Sequence, residues 1–191
     1  RAGFADFPAR RVESEALGLR RGFGFSNYVE RCGHGVDDTA EVLIALKRVK
    51  LDDEQRQADS IKRGAEWMLG VQSKNGGWAA FDKDNTRSAI AKIPFADFGE
   101  MIDPPSADVT AHVVEALARL GYSENTKPIE RAVKYLWAEQ EPNGSWFGRW
   151  GVNYIYGTGA VIPAFEALDK DMSNPLVRRA VDWLLSHQNE D

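Results

Sequence analysis

Apolar residues recur along most of the chain at the spacing of α-helices, and six stretches carry that spacing. Strongly apolar stretches alternate with amphipathic stretches that have one charged face. The pattern predicts helices over 38–50, 53–72, 108–120, 127–140 and 158–168, and a sixth helix that begins at Asn174 and Pro175 as N-cap and first-turn proline. No stretch alternates convincingly with the period of a β-strand, so an all-α protein is predicted.

A second pattern repeats through the amphipathic helices. Each carries a basic, an aromatic, an aliphatic and a glutamine residue at fixed offsets, and two copies continue into Gly-x-Trp. The copies are Arg63, Trp67, Met68, Gln72, Gly76 and Trp78; Arg131, Tyr135, Leu136, Gln140, Gly144 and Trp146; and Arg179, Trp183, Leu184 and Gln188. The alternative is ordinary helix ends with a stray tryptophan. Aligned copies instead favour an array of helical pairs that bury their faces against one another.

The alternation predicts two layers, in which apolar inner helices line a lumen and amphipathic outer helices surround them. This is the architecture of an α/α toroid, of which this chain would form about half a ring. We expect the repeat glutamine to bond helix-terminal groups or the next loop, and the tryptophan to fold back onto the following helix. Two long interruptions, 79–107 and 147–157, both follow a repeat tryptophan and should emerge at the same end of the ring.

Composition narrows the class of protein. With 191 residues and 43% hydrophobic residues the chain can form a globular core, and a net charge of −5 argues weakly against nucleic acid as a partner. The single cysteine, Cys32, excludes an internal disulfide and fits a reducing compartment. Residues 1–35 are rich in Arg and Gly without sustained periodicity, and poor order is expected there. Both ends look cut, which predicts a fragment of a longer protein.

Two adjacent carboxylates, Asp37 and Asp38, precede the first apolar stretch. Asp38 is a reasonable N-cap, and Asp37 would then lie just outside the helix. Adjacent carboxylates raise each other's proton affinity, and a protonated carboxylic acid that faces an apolar cavity can serve as a general acid. The pair is therefore a candidate catalytic site.

Asp108 and His112 are four residues apart and share one helical face. One interpretation is an N-cap aspartate and a core histidine, and the other is an ion pair that tunes a neighbouring acid. Aromatic residues crowd the two interruptions, where they are either core or, around a lumen, π faces that stabilise a cation. Residues 82–85 faintly resemble a calcium loop but lack its glycine and distant glutamate, so no metal site is predicted.

The repeats, together with segments 36–40, 102–106 and 148–154, resemble bacterial squalene–hopene cyclases in both order and spacing. The resemblance covers about residues 36–191 and places them in the catalytic α/α barrel domain of that family. It implies a parent enzyme that protonates a terminal alkene of squalene or a related polyprene and drives cationic polycyclisation to a pentacyclic triterpene, in hopanoid biosynthesis. No metal or organic cofactor is implied.

The resemblance also assigns roles to individual residues. Asp37 matches the middle aspartate of the family's Asp-x-Asp-Asp motif, the proton donor, and Asp38 matches the last. The residues that match the donor's polar surroundings are His112, which tunes acidity, with Asp103, Asp108 and Tyr156. The residues that match the substrate cavity are Trp78, Phe81 and Trp150, and those near the channel constriction are Phe95 and Ala96.

One departure from the family concerns Gly35, which stands where the motif has its first aspartate, the usual partner of the histidine. Upstream of Val36 only residues 22–25 echo the family. We therefore hypothesise that residues 1–35 are non-native sequence, such as a shifted reading frame, and that 36–191 are a partial cyclase domain.

The resemblance further implies that the parent is a monotopic protein on the cytoplasmic side of a membrane, and it allows a homodimer. Two alternatives stay open. One is a non-catalytic helical-repeat or binding module, like the related toroids of protein prenyltransferase β-subunits, although those need zinc ligands and no such set is visible here. The other is an inactive cyclase fragment, because half a ring leaves its cavity open to water.

Overall fold

A computed structural model of the chain describes residues 35–86, 102–151 and 153–189. These ranges contain the helices Val36–Arg48 (α1), Glu54–Gly70 (α2), Ala107–Arg119 (α3), Lys127–Ala138 (α4), Asn153–Ala167 (α5) and Pro175–Ser186 (α6). The described residues hold no β-strand, only an isolated antiparallel bridge between Trp78 and Ser106. The all-α prediction is confirmed. The prediction for α5 was wrong at its start, because the helix begins at Asn153 rather than at 158.

The helices form the two predicted layers. The central inner helix, α3, packs against both α1 and α5, and each of these three helices also packs against the outer helix that follows it. Because α3 has neighbours on several sides, it is buried over most of its surface, including Val109, Val113 and Leu117. The outer helices bury narrower stripes, such as Val177 and Ala180 of α6.

The first inner helix is less buried than its sequence predicts. The run of apolar residues in α1 suggested burial on nearly all sides, but the buried face holds only part of that run, including Ala40, Leu43 and Ile44. Ala45 is exposed. Within the described part of the chain, α1 packs mainly against α2 and α3, and these two helices bury this one face of it.

The glutamines of the first two repeats each hold two parts of the chain together. Gln72 Nε2 donates to the carbonyl oxygen of Gly76, 2.8 Å away in its own turn, and to that of Pro128 at 2.9 Å, in the first turn of α4. Gln140 repeats this with Gly144 O at 2.9 Å and with the first turn of α6 at 3.0 Å. The predicted role of the glutamine is confirmed, and its reach extends to the next outer helix.

The tryptophans of the first two repeats each connect two helices. The indole Nε1 of Trp78 donates to Met68 O at 2.7 Å, near the end of α2, and its backbone N–H donates to Thr110 Oγ1 of α3 at 2.9 Å. Trp146 does the same with Leu136 O at 2.6 Å and with a threonine hydroxyl of α5 at 2.9 Å. The prediction that the tryptophan folds back onto the following helix was incomplete. The indole N–H bonds the preceding helix, and the backbone N–H bonds the following one.

The basic residue of the second repeat completes the link between outer helices. Arg131 Nη2 donates to the carbonyl oxygens of Ser73 and Lys74, at 2.5 and 3.0 Å, in the turn of the first repeat. Gly76 in that turn has φ +97°, and a Cβ there would lie 2.5 Å from Arg131 O. The position therefore requires glycine for its backbone conformation and also for the close approach of α4.

No helix in the described ranges is long and apolar enough to span a bilayer.

The close approach at Gly76 can be separated from its backbone conformation. Gly121 has a similar φ of +99°, but a Cβ added to it would meet no atom within 4 Å. Both Gly76→Ala and Gly121→Ala force alanine into the left-handed region, at about 1–2 kcal/mol each. Only Gly76→Ala adds overpacking, so urea unfolding should show it to be less stable than Gly121→Ala by a further ~1–3 kcal/mol. Equal losses would contradict the packing role.

Candidate active site

The amino end of α1 presents the acidic pair. Val36 is the first helical residue, and its N–H donates to Ala80 O at 2.8 Å. Gly35 is the N-cap, and its N–H donates to Asp38 Oδ2 at 2.9 Å. The prediction that Asp38 is the N-cap was therefore wrong, because the helix begins two residues earlier and the exposed Asp38 side chain reaches back from the first turn.

Asp37 lies in the first turn of α1 rather than just outside the helix, which corrects its predicted position. Its side chain is half-buried. Burial raises the pKa of Asp37 above the ordinary 3.8, and the adjacent charge of Asp38 raises it further. The amides of Asp37 and Asp38 and the charge of His112 act in the opposite direction. Adjacency was the predicted cause of the higher proton affinity, but burial is the larger one.

The carboxylate of Asp37 lies over the backbone of Gly35. A Cβ built on Gly35 would lie 2.5 Å from Asp37 Oδ1 and 3.5 Å from Asp38 Oδ2. An aspartate at position 35 would therefore require the Asp37 side chain to turn away from its present position.

His112 joins α1 to α5 through its two ring nitrogens. Its Nδ1 lies 2.9 Å from Glu41 Oε1 of α1, and its Nε2 lies 3.1 Å from the hydroxyl of Tyr156 of α5. Burial raises the pKa of Tyr156, with a further contribution from the charge of Asp108, so this hydroxyl keeps its proton. The structure brings the predicted residues Asp37, His112 and Tyr156 together and adds Glu41, which the sequence analysis missed.

Asp108 does not pair with His112, although the two share a helix face. Its carboxylate is fully buried and accepts from Ser106 Oγ at 2.5 Å and from the backbone N–H of Trp150 at 2.9 Å. The N-cap of α3 is Ser106, so the prediction of Asp108 as an N-cap was also wrong. Asp108 instead fixes the second interruption to the amino end of α3.

Asp103 forms a buried ion pair with Arg149. Asp103 Oδ1 lies 3.2 Å from Arg149 Nε, and Asp103 Oδ2 accepts from the N–H of Phe81 at 3.1 Å. Burial raises the pKa of Asp103 to about 6, although the Phe81 amide and the Arg149 guanidinium act to lower it. Arg149 also donates to Ile102 O at 3.0 Å. These bonds join the two interruptions, and the prediction that both emerge at one end is confirmed.

The predicted cavity aromatics fall into two groups. Phe81 and Trp150 are half-buried and meet edge to face with centroids 5.4 Å apart, and the Arg149 guanidinium lies 5.9 Å from the Trp150 centroid. Trp78 is fully buried and bonded to α2, so it presents no surface to a cavity in this structure, contrary to its predicted cavity role. Phe95 and Ala96 lie outside the described residues.

Comparison with known proteins identifies the family. Residues 9–191 match the model of the squalene-hopene cyclase C-terminal domain. The chain belongs to the squalene–hopene cyclase family.

Individual relatives agree with this assignment. The chain is 57% identical over 133 residues to the squalene–hopene cyclase of Alicyclobacillus acidocaldarius, an alignment that covers 70% of this chain and 21% of the relative. It is 46% identical over 158 residues to the squalene–hopene cyclase of Bradyrhizobium diazoefficiens, and this alignment covers 82% of the chain and 24% of the relative. It is also 39% identical over 163 residues to a dammaradiene synthase of Dryopteris crassirhizoma, with 81% of the chain and 24% of the relative covered. The chain thus spans about a fifth to a quarter of these relatives' length.

Neither the family match nor the described structure tests the predicted boundary between residues 35 and 36. The match begins at residue 9, whereas the motifs that carried the resemblance begin at Val36. Residues 1–34 lie outside the described ranges. The hypothesis that 1–35 are non-native therefore stays a prediction, as does 36–191 as the domain boundary.

The buried ion pair makes a signed prediction for pH dependence. The pKa of Asp103 is about 6 in the folded chain and 3.8 for an ordinary aspartate. Between these two pH values the folded state therefore binds a proton on Asp103 more tightly than the unfolded state does. Its contribution to the free energy of unfolding should therefore fall as pH rises from about 4 to 6, by on the order of 2 kcal/mol.

Urea unfolding of the wild type and of Asp103→Asn across this pH range measures that contribution as the difference between them. The same difference for exposed Asp182→Asn serves as the control. A difference that grows as pH rises, as for an aspartate with a lowered pKa, would contradict the assignment.

Proposed function

We propose that the protein to which this chain belongs is a cyclase that protonates an alkene of squalene or a related polyprene and drives cationic ring closure to a pentacyclic triterpene. The observation that carries the proposal is the placement of Asp37, a half-buried carboxyl group of raised pKa, beside His112. The names of the relatives supply the substrate class and a place in hopanoid biosynthesis.

The geometry keeps a proton on Asp37 until transfer and then stabilises the carboxylate that remains. Burial and Asp38 raise the proton affinity of Asp37, so the acid form is available at a higher pH than for an ordinary aspartate. After transfer, the carboxylate left behind faces amides of the first turn of α1 and the charge of His112, which both stabilise the anion. The surroundings of Asp37 thus stabilise both its acid form before transfer and its carboxylate form afterwards.

The carbocation that follows needs neutral stabilisation, because an anion or water would quench it. The edge-to-face pair of Phe81 and Trp150 supplies π faces close to the end of α1, since Val36 is bonded to Ala80, next to Phe81 in sequence. A relative named dammaradiene synthase is similar over much of the chain, so the proposal covers cyclisation of polyprenes as a class of reaction.

The proposal extends to where the parent works. Squalene dissolves in lipid, which supports monotopic attachment to the cytoplasmic side of a membrane, and the family resemblance supports a homodimer. Flotation of the full-length parent with phospholipid vesicles tests the first point, and sedimentation in detergent tests the second.

Two alternatives make different predictions. A helical-repeat binding module has no need of a buried acid with raised pKa, which favours an enzyme as the parent. An inactive fragment is the expected state of this polypeptide alone, because Tyr154, Ile155 and Tyr156 at the amino end of α5 are 39%, 46% and 38% exposed. Incubation of the polypeptide with squalene, followed by mass spectrometry for cyclised products, distinguishes an active chain from both alternatives.

The proton donor can be tested in the full-length parent. Asp37→Asn keeps the shape of the side chain but removes its acidic proton, so cyclised product should fall by at least about a hundredfold. Gas chromatography with mass spectrometry measures the product, and circular dichroism checks that the fold is retained. Asp182→Asn, an exposed carboxylate on α6 paired with Arg178, should leave product formation unchanged. Turnover near the wild-type rate in Asp37→Asn would refute the donor role.

A further inference from the structure

Glu41 lies one turn after Asp37 on α1, so both carboxylates occupy the same face of the helix. Its Oε1 is 2.9 Å from His112 Nδ1. No motif in the sequence singles it out, since a glutamate in a helix is ordinarily a solvated residue. The contact depends on the packing of α1 against α3.

We propose that Glu41 is a positioning residue, which holds the His112 ring in place beside Asp37 by the close approach of its charge. Its meaning for catalysis rests on the proposed function. The carboxylate lies 2.9 Å from the buried Nδ1, but the contact lacks the geometry of a hydrogen bond, so Glu41 acts on the ring through its charge. Nε2 then faces Tyr156, whose hydroxyl donates to a neutral ring and accepts from a charged one.

The other ionisable groups around His112 have partners of their own. Asp38 of α1 accepts from the Gly35 amide, Asp108 of α3 from Ser106 and the Trp150 amide, and Glu115 of α3 pairs with Arg119 at 2.7 Å. Asp37 interacts with His112 through its charge, and α5 contributes Tyr156. Among the described residues, Glu41 is the carboxylate within ion-pair distance of the imidazole.

Gly35, the N-cap of α1, supplies no carboxylate to the histidine, and the Asp37 side chain occupies the space beside its Cα. The carboxylate that contacts His112 is therefore that of Glu41, which follows Asp37 in the sequence by one helical turn. Because the Glu41 side chain is 56% exposed, the coupling is screened by water and salt.

The test is the position of the His112 ring in the 191-residue chain, measured by NMR as the nuclear Overhauser contacts between its ring protons and those of Tyr156, with assignment by His112→Gln. Glu41→Gln should weaken these contacts by about twofold at low salt, because the ring loses the charge that holds it. The difference from the wild type should shrink at about 1 M salt, where the Debye length is about 3 Å. Glu41→Asp, which keeps the charge, should restore part of the contacts.

Glu66→Gln is the matched control, because Glu66 on α2 is also 56% exposed and pairs with Lys62. It should leave the His112–Tyr156 contacts unchanged, and Glu41→Gln should leave the contacts between His187 and Trp183 unchanged. Unchanged His112–Tyr156 contacts in Glu41→Gln overturn the inference.

The NMR measurement needs no substrate, so it is independent of the proposed function. In the full-length parent, Glu41→Gln should shift the pH profile of kcat/KM, which a purely structural role would not do. A fully active Asp37→Asn parent would instead overturn the proposed function and leave the Glu41–His112 pair standing.

Discussion

The packing of α3 between α1 and α5 positions the acidic end of α1 and the contacts of its histidine. Asp37 and Glu41 come from α1, His112 from α3 and Tyr156 from α5. A helix shifted along its axis by one residue moves about 1.5 Å, which is enough to break contacts of 2.9 and 3.1 Å at the imidazole. The register of the inner helices is therefore the constraint on which the chemistry depends.

The repeats set that register from outside the site. The backbone N–H of each repeat tryptophan is bonded to a threonine hydroxyl of the next inner helix, Thr110 in α3 and Thr158 in α5. Its indole N–H is anchored to the preceding outer helix, so the two layers cannot slide past each other without losing buried hydrogen bonds. The chain then runs from Trp78 to Ala80, which bonds α1, and so passes directly from the structural link to the acidic end.

Much of the fold was predictable because its signals are local. The helical period located all six helices, and Asn174 and Pro175 marked the start of α6, where the Asn174 side chain accepts from Leu176 N–H. The start of α5 was missed because Asn153 has φ +36° and the residues after it are exposed aromatics without an apolar stripe. The start of α1 was missed because its N-cap, Gly35, has no side chain to signal it.

The site was predictable in its residues but not in their partners. Asp103 and Arg149 lie far apart in sequence, and the His112 partners come from two other helices. Spacing along one helix suggested Asp108 for His112, but the buried Asp108 is already engaged by Ser106 and by the backbone of Trp150. Tertiary packing decides which residues become partners, and the local periodicity of a single sequence does not reveal those contacts.

Burial at the end of the inner layer makes Asp37 a weaker acid than an ordinary aspartate, so it holds its proton until the proton is transferred. Carbon-13 NMR titration of the Asp37 carboxyl group in this chain, assigned with Asp37→Asn, measures this most directly. We expect a pKa for Asp37 above the ordinary value of 3.8, because burial and Asp38 outweigh the helix amides and His112. A pKa at or below 3.8 would contradict it.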